Sequence, residues 1–286
     1  MNAADRPRAR EKRDYWERRS GLQTGRSTPA PIRPADTDIA LYASWARMRG
    51  ASVRGGELRT LMLGVTRSIA AMPWPAGTAL LAVDWSPGMV RQFWPAGYAP
   101  RGSSVVLGDW REMPIASESC DLAVGDTCYS ALAGREDCVA LNAEIARVLK
   151  PGAWWVQRCF LRPERAENVD LLLGELEQGR IGVFEVFCWR LAMTLHGADG
   201  IGVRCADVWQ AWNRHVRDPQ GLFARLGWPA QGLAAIDRWR GEPTRIYFPT
   251  LLEVRELAVP DFEFVEARFP DYEMGDRCPM LVLHRH

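Results

Sequence analysis

Lysine is nearly missing from this chain. Lys12 and Lys150 are the lysines of a 286-residue sequence whose other basic side chains are arginines. The formal net charge is +1, so no surplus of either sign draws the protein to nucleic acid or to an acidic membrane. The seven cysteines are scattered and form no CxxC pair, which argues against a disulfide framework or a zinc site and fits a reducing cytoplasm. Histidine gives no metal spacing either, because His196 and His215 stand far from His284 and His286. Long apolar runs are lacking too: the most apolar stretch, IGVFEVFCWRLAMTL, is broken by Glu185 and Arg190, and nothing there spans a membrane. The N-terminus is arginine-rich without an apolar core, and Asp5, Glu11, Asp14 and Glu17 argue against an organelle presequence. At 47% hydrophobic and 25% charged, the composition is that of a globular protein, expected to be cytoplasmic and a monomer or homodimer.

What is present is an alternation of strand and helix. Strands are expected at Leu58–Leu63, Ala79–Val83, Ser104–Leu107, Asp121–Val124 and Ala153–Phe160. In SPGMVRQFW, Ser86 reads as an N-cap with Pro87 in the first helical position. In REDCVALNAEIARVLKPG, Cys138, Leu141, Ile145 and Leu149 fall on one face, and the helix should stop at Pro151-Gly152. Such alternation predicts an α/β fold, a Rossmann-like doubly wound and mostly parallel sheet. Residues 161–245 break the rhythm with helical stretches near Arg165–Gln178, Val183–Leu195, Ala206–His215 and Leu233–Arg240, rich in tryptophan, and read as a helical cap insertion. The sheet should resume with YFPTLLEVRELA, Phe262–Phe269 and Met280–Leu283. The expected division is an arm and lead-in helix (Thr37–Met48) over 1–50, a binding core over 51–160, the cap over 161–245 and completing strands over 246–286. Within the arm, Tyr15 and Trp16 are costly to leave in water, which suggests either a helix docked on the domain or a lid over the site.

Each of the first four strands ends in a residue able to face a ligand: Gly64, Asp84, Asp109 and Asp126. In an open parallel sheet those carboxyl ends share one edge, where ligands bind. The turn after the first strand, LGVTRS, has one glycine, with Val65, Thr66 and Ser68 where a pyrophosphate-binding loop would have more. A carboxylate at Asp84 accepts from two ribose hydroxyls and repels a 2′-phosphate. Asp109 beside the flat Trp110 suits an adenine. These residues describe an adenosine without a phosphate chain.

The sequence here resembles the class I S-adenosylmethionine-dependent methyltransferases, from about Leu58 to Arg285. LMLGVTRS resembles their first motif, departing from it at Met62, Thr66 and Ser68. LLAVDWSPGMV is similar to the second, with Asp84 in the ribose place, and VVLGDWREMPIASESCDLAVGD to the third and fourth. IARVLKPGAWWV resembles the helix-and-strand segment that follows. The resemblance implies a seven-stranded sheet with the last strand antiparallel, S-adenosyl-L-methionine as cofactor with S-adenosyl-L-homocysteine as product, and cofactor contacts at Gly64, Val65, Thr66, Asp84, Trp85, Asp109, Trp110, Asp126 and Thr127.

Methyl transfer from a sulfonium needs alignment and dryness more than a catalytic group, although a hydroxyl acceptor needs a base. The candidate bases are His196, His215 and Asp126. The cap is expected to form the acceptor pocket, with Tyr129, Trp189, Arg190 and Arg245 as candidate contacts, and Tyr15 and Trp16 reaching in from the arm. The favoured reading is a methyltransferase acting on an O or N atom of a small molecule, of the kind met in secondary metabolism, with no metal. A cofactor-binding scaffold without turnover and an NAD-dependent oxidoreductase are the other two readings; the missing glycines disfavour the last.

Overall fold

A computed structural model describes residues 7–20, 30–53, 55–95, 97–197 and 200–286. In chain order these form α1 (Pro7–Ser20), α2 (Asp36–Ser52), β1 (Leu58–Leu63), α3 (Arg67–Ala70), β2 (Thr78–Asp84), α4 (Pro87–Phe93), β3 (Ser104–Leu107), β4 (Cys120–Asp126), α5 (Arg135–Val148) and β5 (Leu149–Arg158). There follow α6 (Val169–Glu177), α7 (Phe184–Thr194), β6 (Val203–Arg204), α8 (Cys205–His215), α9 (Pro219–Leu226), α10 (Gln231–Asp237), β7 (Arg245–Ile246), α11 (Leu251–Ala258), β8 (Phe262–Arg268) and β9 (Met280–Arg285).

Seven strands make one sheet in the order β3-β2-β1-β4-β5-β9-β8. The first five are parallel, and β9 runs antiparallel between β5 and β8. Strands covered on both faces must be apolar on both, and β1 and β4 are buried along nearly their whole length. One face packs Leu61, Leu63, Leu141, Ile145 and Trp155. The other packs Met62, Leu122, Val124 and Val156 under Tyr42 and Trp45 of α2. Strand order reverses between β1 and β4, so the crevice opens beyond Leu63 and Asp126.

Three local expectations need correction. The helix α5 ends at Val148, and β5 already pairs from Leu149, passing through Pro151 and Gly152. The β4–β5 register shifts between Cys120 and Leu122, and a strand proline is tolerated in such an irregularity. YFPTLLEVRELA adds no strand to the sheet: Tyr247 and Phe248 are buried outside it, and Leu251–Ala258 is helical. Its start is a capping box, with Thr250 Oγ1 accepting from Glu253 N and Glu253 Oε2 accepting from Thr250 N. The insertion also holds α9, begun by Asp218 and Pro219 and ended by Gly227 at φ +68°. Its core of Phe184, Phe187, Trp212, Phe223 and Trp228 extends to Phe160, Ile246, Phe248, Met274 and Cys278, beyond the 161–245 limits.

Two features shape the crevice. The Arg158 guanidinium, wholly buried at the end of β5, donates to Asp126 Oδ1 and Oδ2 across the parallel pair, at 2.7 and 3.1 Å. It also donates to the carbonyls of Pro31 and Arg33 and lies 3.7 Å from Asp38 of α2. The second feature is α1, which is anchored through Lys12 and Glu17. Lys12 is buried and donates to the carbonyls of Ser130 and Arg245; burial lowers its pKa to about 8. One turn on, Glu17 accepts from Ser86 Oγ and Gly88 N at the start of α4. Gly88 permits that approach, because a Cβ there would collide with Ser20 Oγ. The arm residues 1–6 and 21–29 lie outside the described residues.

Arg158→Met should lower the unfolding free energy by about 3–5 kcal/mol, since it leaves Asp126 buried without its counter-ion. Urea unfolding checks this. A loss below about 1 kcal/mol would show that the cluster tolerates the change and does not anchor the crevice.

Candidate active site

At the switch point lies a cavity of about 900 Å³. Its walls come from the end of β1 and the turn after it (Leu63 to Ser68), from Asp84, Trp85 and the α4 residues Met89, Gln92 and Phe93, and from Trp110. Asp126 ends β4 and Thr127 and Ala131 follow it, while Trp16 and the Ile32–Pro34 segment close the remaining side.

Gly64 is where the backbone turns, at φ +79°, a conformation that an L side chain adopts only with strain. A Cβ there would lie 3.4 Å from Trp110 Cζ2 and 3.8 Å from Asp84 Oδ2, so the three groups meet at one point. Trp110 is fixed by its Nε1, which donates to the carbonyl of Val83. Asp84 divides its oxygens: Oδ1 accepts from Ser86 N at 2.9 Å, and Oδ2 lies beside Gly64. Ser86 Oγ is the actual cap of α4, accepting from Met89 N. Burial pushes the Asp84 carboxyl up to about 6, with the Glu17 charge adding to the shift and the Ser86 hydrogen bond opposing it. Glu17 moves the other way, held below the usual carboxylate range by the hydrogen bonds from Ser86 and Gly88.

Of the residues singled out in the sequence, Gly64, Val65, Thr66, Asp84, Trp85, Trp110, Asp126 and Thr127 all line this cavity, and Trp16 joins them. Asp109 does not. Its Oδ1 accepts from Arg111 Nε at 2.9 Å and its Oδ2 from Nη2, and Arg111 continues to Asp137 of α5. An adenine amino group therefore finds that carboxylate already engaged. Asp126 is at the wall but unfit as a free base, because both its oxygens accept from Arg158.

The cap candidates are elsewhere. Among the described residues, none of 161–245 lines the cavity, contrary to the expectation that the insertion forms the acceptor pocket. His215 lines a separate surface cavity with Asp170, Asp218 and Arg225. His196 packs beside Tyr247 and Phe248. Trp189 stacks on Phe160, and Arg190 pairs with Glu167 and Glu175. Arg245 donates to the carbonyl of Gly202. Tyr129 is wholly buried, its hydroxyl donating to Asn142 Oδ1, and Tyr15 is buried with its hydroxyl accepting from Arg19. These are packing or ion-pair residues for a common reason: each sits on an element whose inward side faces the cap core, α5 or the α1 interface.

Sequence reasoning passed over Ile32–Pro34, Arg67, Met89, Gln92, Phe93 and Arg158. Met89, Gln92 and Phe93 were legible in part, at three- and four-residue spacing along α4. Arg158 was legible as a charge inside the apolar strand AWWVQR, which needs a partner. Nothing local marks the Ile32–Pro34 segment.

The geometry is that of an α/β nucleoside site at a strand-order switch, and the comparisons give its class. Residues 61–156 match the family model described as a methyltransferase domain. A search of the curated proteins finds no match. Three solved structures share the fold over nearly the whole chain. An N-methyltransferase, NodS of Bradyrhizobium japonicum, in complex with S-adenosyl-L-homocysteine, is 11% identical over 96% of this chain and 98% of that one, with a TM-score of 0.51. Magnesium protoporphyrin IX methyltransferase of Synechocystis, also with bound S-adenosyl-L-homocysteine, is 13% identical over 96% and 100%, at 0.52. A Rhodobacter sphaeroides protein described among the Zn-dependent alcohol dehydrogenases is 14% identical over 96% and 98%, at 0.59. At these identities the likeness is one of fold. Among the described residues, no group of three His, Cys, Asp or Glu side chains is placed to hold a metal ion. Residues 61–156 thus carry a methyltransferase domain, and the fold around them is one shared with methyltransferases that bind S-adenosyl-L-homocysteine.

Asp84 makes the cofactor-free protein sensitive to pH. Its folded-state carboxyl keeps the proton up to about 6, whereas the unfolded chain releases it near 3.8. Wild-type stability therefore falls as pH rises through that window. Asp84→Asn keeps the acceptor for Ser86 N and does not titrate. It should be the more stable protein above about pH 7, by on the order of 2 kcal/mol, with the gap closing below about pH 4. Urea unfolding at both ends of the range measures this; a gap that does not vary with pH would rule out Asp84 as its source.

Proposed function

We propose that this chain transfers a methyl group from S-adenosylmethionine to an O or N atom of a small molecule. The observation that carries the reading is Asp84: a buried carboxylate, raised in pKa, with one oxygen spent on Ser86 N and the other beside Gly64. Such a group lacks donors, and a ribose diol supplies two.

The residues fit the group. Asp84 would hold the ribose, Trp85 and Trp110 would flank the adenine, and Gly64, Val65, Thr66 and Thr127 would meet the methionine part. With Asp109 tied to Arg111, recognition of the adenine falls to the two indoles. When bound, the cofactor supplies an electrophilic methyl on a sulfonium. The chain then has to align an acceptor with that methyl and keep water out. Here α1 serves as the lid, with Trp16 in the cavity wall and its flanking residues Lys12 and Glu17 tied down. The cavity size supports a small acceptor, since pockets of roughly 300–1,000 Å³ enclose molecules of drug size.

Calorimetry should show binding of S-adenosylmethionine and S-adenosylhomocysteine. Asp84→Ala should weaken it at least about tenfold, with Asp84→Asn in between, because each lost charge-assisted bond removes roughly 1.5–3 kcal/mol. Transfer of a labelled methyl group to a small acceptor completes the test. Unchanged affinity in Asp84→Ala would remove the ribose assignment, and absence of any cofactor heat would remove the proposal.

A further inference from the structure

Under the proposed function the purine of the cofactor lies against Trp85 and Trp110, and what reads its edge depends on the polar groups left around it. A 6-amino group donates hydrogen bonds, and a 6-oxo group accepts them. Telling the two apart takes a partner with a single role: a carboxylate or carbonyl for the amino group, an N–H for the oxo group.

Asp109 is the carboxylate just past β3, and Arg111 has engaged it. Its Oδ1 accepts from the main-chain N–H of Arg111 at 3.0 Å and from Nε at 2.9 Å, while Oδ2 accepts from Nη2. The main-chain carbonyl of Asp109 is also used, accepting from Glu112 N at 3.1 Å. Arg111 is buried, and its Nη1 donates to Asp137 of α5. Separating buried charges paired in this way carries a large penalty. Asp109 accordingly stays out of the cavity wall, whereas Trp110, the next residue, is part of it.

Among the described residues, the side-chain oxygens that line the cavity belong to Thr66, Ser68, Asp84, Gln92, Asp126 and Thr127. The two carboxylates are the groups that can only accept. Asp84 gives one oxygen to Ser86 N and, under the proposed function, the other to the ribose; Arg158 fills both oxygens of Asp126. The hydroxyls and the carboxamide carry donor and acceptor together and turn to suit either purine. Of the donor-only side chains in the wall, Trp16, Arg33 and Arg67 stand on α1, before α2 and on α3, none of them beyond β3. The Trp110 indole N–H is spent on the carbonyl of Val83, so Trp110 offers a ligand its ring. Stacking on a ring face tolerates a change of base.

Building on the proposed function, we infer that the cofactor site takes 6-aminopurine and 6-oxopurine nucleosides alike, binding S-inosyl as well as S-adenosyl thioethers and sulfoniums. Selection rests on the ribose at Asp84 and on the purine face at Trp110, because Arg111 withholds the carboxylate of Asp109. The base takes no part in the displacement at sulfur, so this breadth leaves the methyl transfer itself unchanged.

Calorimetry on the full chain tests this by comparing S-adenosylhomocysteine with S-inosylhomocysteine. The two dissociation constants should agree within about fivefold, whereas a charge-assisted bond to a 6-amino group would separate them by at least about tenfold. Asp109→Asn should leave their ratio within about twofold of wild type, a quantity that a loss of folded protein does not move. Trp110→Ala should weaken both ligands alike, by about tenfold. A wild-type difference larger than fivefold in either direction overturns the inference while leaving the proposed function in place. So does a ratio that shifts beyond twofold in Asp109→Asn, or a Trp110→Ala loss confined to one of the two ligands. No binding of S-adenosylhomocysteine by the wild type overturns both readings.

Discussion

A guanidinium carried beyond the reach of water has to be surrounded by acceptors, and in this protein that requirement organises the binding edge of the sheet. Arg158 draws in Asp126 from the neighbouring strand, the carbonyls of Pro31 and Arg33, and Asp38 from α2. Asp38 in turn accepts from Ala35 N and from the hydroxyl of Tyr272, and burial raises its pKa. These acceptors come from separate segments of the chain. Satisfying one buried cation therefore fixes where the chain enters the domain, and that entry segment is one wall of the cavity. The same bonds occupy both oxygens of Asp126, so a structural demand at the end of β5 shapes one wall of the site.

Asp84 is the counterpart on the other side of the crevice. One oxygen stabilises the turn into α4 and the other is left among Gly64 and Trp110. A strand-end aspartate can serve the local backbone or a ligand, and this side chain is placed to do both. Glu17, brought in by α1, strengthens the start of α4 and raises the cost of ionising Asp84. The helix that contributes Trp16 to the cavity wall thus also adds to the electrostatic cost borne by the group inside it. A ligand donating to Asp84 would relieve the penalty imposed by burial and by Glu17.

How much of this could be read from the residues depends on whether the governing contact was local. The strand ends and the cap at Ser86-Pro87 were legible because hydrophobic runs, glycine and capping chemistry act within a few residues. Asp109 illustrates the limit. It follows β3 as expected, but Arg111, two residues on, engages both oxygens of the carboxylate, and Asp137 of α5 completes that arrangement. Tyr129, Trp189 and Arg190 illustrate it further: their chemistry suited a ligand, but their elements face Asn142, Phe160 and Glu167.

By itself, then, the sequence determined the order of strands and helices, the carboxyl-edge crevice and the adenosine-type cofactor, because apolar periodicity and turn residues encode those in short stretches. Tertiary structure decided which polar groups still face the cavity. That choice rests on contacts between residues more than a hundred positions apart: Arg158 with the carbonyls of Pro31 and Arg33, and Lys12 with that of Ser130. No local pattern records such pairings. They form because buried charges must find partners, and only the folded chain brings those partners within reach.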